Sequence, residues 1–189
     1  MPHEPANILA PWSAHLAQAS GLPVVLGSSP PPEALRSARA HRDSVDLRLW
    51  LEACRAAPAP EGVPAGEGPL LAWDQSVAIE VWTECELAAL HALARFARHP
   101  DPAIASFSGE RTAEAIRWHL EHTQPDNATN RPWALHAFLL AEDGSGEPTA
   151  YAGKLLHNRS ATEARNEPLS LWILADAARE LRLRGFGAA

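Results

Sequence analysis

Leu171, Leu174, Ala175, Ala178 and Leu181 follow i, i+3, i+4, i+7 and i+10 between Pro168 and Gly185. That spacing makes one side of an α-helix apolar and suits no strand. Pro168 falls in the first turn, where a missing N–H is harmless. Gly185 lies just past the end, where a left-handed cap is easiest for glycine. The same period recurs upstream. Trp82, Leu90, Leu93, Phe96 and Ala97 mark a long helix from near Ser76 to the breaker "HPDP". Residues 109–123 predict a second helix. Ala113, Ile116 and Leu120 would line one side of it, and Trp118 and His122 another.

A third helix is expected from near Pro132, with Asn130 or Arg131 at its cap. "DGSGEP" at 143–148 reads as a turn, and "TAYAGKLLHN" as a short fourth element. A β-hairpin over 134–156 is the rival reading. Its flanks hold few β-branched residues and much Ala and Leu, which favours helix. The fold class is therefore mostly α, an antiparallel helical bundle or hairpin stack of about five helices over residues 71–189.

Eleven of the seventeen prolines fall within the first 70 residues. Segments 1–32 and 57–69 read as loop or linker, with "LPVVL" at 22–26 as a short strand. Between them a helix is expected near 31–57, capped by Ser29, with Leu47, Trp50, Leu51 and Cys54 as its stripe. The N-terminal part is thus a proline-rich, loop-dominated segment, 1–70, with one helix.

The formal net charge is −7, and acidic residues outnumber basic ones in both halves. No basic block is present to release counterions from a nucleic-acid backbone or to hold a membrane surface, so neither is an expected partner. The N-terminus lacks a basic n-region and a continuous apolar run, as a secretory signal would require. Cys54 and Cys85 form no CxxC. The expected location is the cytoplasm, and the sequons at Asn127 and Asn158 read as idle.

Histidine is over-supplied, with nine in the chain. His91, His119, His122, His136 and His157 fall in the helical part. His119 and His122 are i, i+3 on one helix, and Glu80, Glu84 and His91 share a helical face. Such nitrogen and oxygen donors suit zinc, iron or manganese. Neither HExxH nor the Glu-x-x-His repeat of di-iron bundles is present, so no cofactor is expected, and a divalent metal on these residues is the alternative. Asp126 or Asp176 would be the carboxylate that orients an imidazole. No GxSxG, SxxK or phosphate-binding glycine loop accompanies them.

The polar string "TQPDNATNRP" at 123–132 is rich in residues that bind local backbone. It reads as a helix–helix corner, and as a polar rim that gathers His119, His122, Arg131, Trp133 and His136 into one candidate ligand site. Arg131 would pair with a carboxylate or phosphate. Trp82, Trp118, Trp133 and Trp172 would each stand on a different helix, as core residues or as an aromatic groove. The favoured function is a non-catalytic interaction or scaffold module that binds a protein or peptide through its helical surface. The alternative is a small helical enzyme or ligand-binding domain with a His/Trp-lined site.

Overall fold

The computed structural model describes residues 6–22, 63–73, 78–125 and 131–186. These form an all-helical fold with no strand among the described residues. In chain order the helices are α1 (Ala6–Ser20), α2 (Ile79–Phe96), α3 (Pro102–His122), α4 (Leu135–Leu140), α5 (Glu147–Ala161) and α6 (Pro168–Leu183). A 3-10 turn, Glu163–Asn166, joins α5 to α6. The expected helix near 31–57 lies outside the described residues. So do most of the "LPVVL" segment and Asp126, Asn127, Thr129 and Asn130 of the polar string.

α2 and α6 form the centre. Leu87, Leu90, Leu93 and four alanines of α2 are buried, as are Ile173, Leu174, Ala177, Ala178 and Leu181 of α6. Helices buried around most of their circumference need apolar residues on every side, and the small alanines let neighbours approach closely. α3 packs on α2, α5 on α4 and α3, and α4 bridges α2 and α6. No described helix is long and apolar enough to cross a membrane.

α6 has the expected ends. Pro168 opens it, and Gly185 at φ +87° closes it. The Phe186 and Gly185 amides donate to Leu181 and Arg182 carbonyls, the Schellman arrangement that satisfies the last turn. The expected turn at 143–148 is also present. The Glu142 carboxylate accepts the Gly144 and Gly146 amides at 2.8 and 3.0 Å, and helices rather than strands flank it.

Three expectations are corrected. Residues 6–20 are helix, not loop, and pair extensively with α6. Leu9 and Leu16 enter the shared core, and the Ser13 hydroxyl donates to the Ala178 carbonyl. Pro11 lies inside α1 and removes one backbone bond, but burial against α6 outweighs that loss. Second, α3 starts at Pro102 rather than near 109. Asp101 caps it by accepting the Ala103 amide at 2.9 Å, with Pro102 in the first turn. Third, Pro132 is not in α4. The helix starts at Leu135, after Ala134 takes the left-handed conformation at φ +57°.

Candidate functional site

Two buried polar seams and one aromatic row that reaches the surface at both ends stand out. The first seam joins α2, α4 and α6. The His91 ring is fully buried, and its Nδ1 accepts the Ala134 amide at 3.1 Å. The ring proton therefore sits on Nε2, which donates to Asp176 Oδ2 at 3.1 Å. Asp176 also pairs with Arg179 at 2.7 Å and Arg95 at 3.4 Å. Burial alone would raise its pKa. The His91 hydrogen bond and the two guanidinium charges outweigh burial and hold the carboxyl well below its usual range. One helical turn on, Glu180 takes two hydrogen bonds from Arg98 Nη2 and one from Arg98 Nε.

His136 lies against this seam, its ring centroid 4.5 Å from that of His91. It is fully buried and neither ring nitrogen has a hydrogen-bond partner. Burial, with the neighbouring His91, keeps it neutral well below its ordinary range, and Asp176 offsets only part of that.

The second seam lies between α2 and α3 and holds residues 63–73 as a strap. Glu86 is fully buried and accepts the Leu70 and Leu71 amides at 2.5 and 2.7 Å. From α3, Arg111 donates to the carbonyls of Pro64, Gly68 and Pro69. His119 Nε2 stands 3.6 Å from Glu86, and its Nδ1 is 3.0 Å from Thr123 Oγ1. Thr123 in turn meets the Tyr151 hydroxyl at 2.7 Å, and burial pushes that phenol up to about 12.

The residues expected to share one site are therefore divided. His136 and Trp133 come together around His91, whose centroid is 5.5 Å from that of Trp133. His119 belongs to the Glu86 seam. His122 is 52% exposed in its side chain and stacks on Trp118, so it does not face His136. Arg131 already pairs with Glu84 at 2.7 Å and Glu167 at 2.8 Å. Its fork thus closes the chain's own corner rather than presenting donors to an anion. Trp133 stands in the turn before α4, not on a helix. Glu80 is exposed and apart from Glu84's pairing with Arg131. Among the described residues no group of three or more His, Cys, Asp or Glu side chains is placed to hold a metal ion.

Asp176 was legible as a partner for an imidazole. Glu86, Arg111 and Glu180 were not. The nearest thing to a signal was at Glu86, which directly precedes the apolar run Leu87–Leu90 and so falls where burial demands a partner; Arg111 and Glu180 sit among other charged residues and gave none.

The aromatic row crosses from the strap to α3. Trp73 meets Trp82 edge to face at 5.0 Å, and Trp82 meets Trp118 at 5.9 Å. Trp118 then stacks on His122 at 5.1 Å and 9°. Trp82 is buried, and its indole N–H donates to the Ala72 carbonyl at 3.1 Å. Trp73, at the outer end, is 46% exposed, and Ile79 and Val81 in the first turn of α2 are 46% and 54% exposed.

Comparison of the chain with protein-family models, with curated proteins and with solved structures gives no match.

Proposed function

We propose that this protein is a cytoplasmic, non-catalytic interaction module that docks a protein or peptide on the surface around Trp73 and Ile79, beside Trp82. The observation that supports this most is the exposure of Trp73 on the strap and Ile79 at the start of α2, 46% each. Trp73 packs edge to face on the buried Trp82, and Ile79 stands three residues before Trp82 on the same side of α2. Large apolar side chains clustered on a surface mark contact sites, and tryptophan is the residue most enriched among binding hot spots.

The enzyme reading has one feature in its favour, an imidazole oriented by a carboxylate at 3.1 Å. Yet both nitrogens of His91 are engaged within the fold, and the ring has no exposed surface. A general base needs a free lone pair within reach of substrate.

The test is selection of short peptides from a random display library on the intact chain. Selected peptides are expected to compete for one site and to lose binding to a Trp73→Ala/Ile79→Ser variant with unchanged far-UV circular dichroism. Peptides that bind the variant as well as the parent, or no enrichment at all, would refute the reading.

A further inference from the structure

The buried arginines among the described residues are Arg111, Arg159 and Arg179. Arg179 pairs with Asp176 at 2.7 Å and Glu180 at 3.0 Å, and Arg111 has Glu114 at 4.0 Å besides its strap carbonyls. Arg159 differs from both. It stands in the last turn of α5 and is 5% exposed, yet no described carboxylate forms an ion pair with it. Its Nη2 donates to the Arg165 carbonyl on the 3-10 turn, and its buried Nε has no partner. Nη1 is not shut off from solvent. The hydroxyls of Thr162 and Ser160, at the same helix end, already donate to the Arg159 and Leu156 carbonyls. Glu167, at the start of α6, is held by Arg131 and the Ser170 hydroxyl. Burial, and then repulsion from the exposed Arg165, lower the pKa of Arg159.

A buried guanidinium ordinarily comes with a paired acid, because an uncompensated buried charge is strongly destabilising. Here a second cation stands beside it instead. We propose that Arg159 and Arg165 bind a small phosphate dianion at the corner between α5 and the 3-10 turn. The anion meets the Nη1 edge of Arg159, which the Arg165 carbonyl holds in place through Nη2. The exposed Arg165 side chain supplies the second guanidinium. Guanidinium groups match phosphate oxygens in pairs, and a phosphate near neutral pH carries close to two negative charges, against one on a carboxylate. The anion that the sequence suggested for Arg131 is thereby moved to Arg159, since Glu84 and Glu167 already close the fork of Arg131.

The test is thermal unfolding of the full chain in sodium phosphate against sodium chloride and sodium acetate at equal ionic strength. Phosphate is expected to raise the midpoint saturably, since a ligand that binds only the native state stabilises it by mass action. Arg165→Gln, a change at an exposed position, should weaken the apparent affinity about 10-fold or more, and Arg159→Lys, which keeps the charge but loses the planar fork, should do likewise. The parent should gain on Arg159→Met in phosphate and lose that gain in chloride. Glycerol phosphate that binds more tightly than inorganic phosphate places the group on a larger molecule, and equal binding assigns the free ion; both support the site. Acetate as effective as phosphate, or a phosphate effect that chloride reproduces, overturns it. So does a phosphate effect unchanged in Arg165→Gln and Arg159→Met. An effect that appears only in Glu163→Gln also overturns it, by assigning the counter-charge to the acid four residues beyond Arg159 in the chain.

Discussion

The Nε2–H of His91 meets Asp176 across 3.1 Å, while the Ala134 amide fixes the other ring nitrogen. One side chain of α2 thereby ties α6 to the turn that launches α4. The geometry resembles the histidine–carboxylate pair of a catalytic base, but it is closed at both ends. It serves as a polar pin between helices.

Removing the carboxylate's charge should be expensive. In Asp176→Asn the guanidinium groups of Arg179 and Arg95 lose a buried counter-charge. Breaking a buried pair from one side typically destabilises by about 3 kcal/mol or more. Urea unfolding is expected to show a loss of that order, with the helical circular dichroism spectrum retained in native buffer. A change below about 1 kcal/mol would mean that the pin contributes little.

Acid should weaken the fold in two stages. His136 is neutral in the fold, with its pKa below the ordinary value of 6.5. The unfolded chain therefore binds a proton first, and stability falls as pH drops below about 6.5. The slope from one group is at most about 1.4 kcal/mol per pH unit. Asp176 acts in a lower window. Its folded pKa lies beneath the usual 3.8, so its contribution is complete above that value and is lost as pH falls through the folded one. Unfolding free energies measured from pH 7 down to about 2 should show the upper stage in full and the onset of the lower one. In His136→Phe the upper stage should flatten and the lower one persist.

The same His136→Phe variant should also be more stable at pH 7. Both ring nitrogens of His136 lack partners in a fully buried setting, and an unsatisfied buried donor costs roughly 1–3 kcal/mol. Phenylalanine has a similar planar shape and carries no donor. The midpoint of thermal unfolding is expected to rise. A fall would show that the imidazole has a polar role in the native state.

The fold was largely legible and the seams were not, for a physical reason. Helical periodicity reports which side of an element is apolar, so α2 and α6 follow from Leu90, Leu93, Leu174 and Leu181. It missed α1 because Pro11 reads as a breaker until the covering face of α6 is known. His119 and His122 differ by three residues, about 60° around a helix, and that rotation buries one and exposes the other. Sequence proximity suggested that they share a site with His136. The packing of α4 on α2 decided otherwise, by turning His136 toward His91.

The strap over α2 and α3 makes the last prediction. Glu86 accepts two of its amides, and Arg111 donates to three of its carbonyls. Backbone groups of residues 64–71 are thus satisfied by two side chains rather than by a ladder. Glu86→Ala leaves the Leu70 and Leu71 amides unpaired and removes one of the two carboxylate charges near Arg111, Glu114 being the other. Each buried unpaired group costs about 1–3 kcal/mol, so the strap should release before the bundle does. Hydrogen exchange is expected to rise at Leu70 and Leu71 by more than tenfold, while amides in the middle of α6 stay protected. Release should also carry Trp73 away from Trp82 and so abolish the edge-to-face contact at the root of the docking face. Equal loss of protection in the strap and in α6 would show instead that Glu86 supports the whole core.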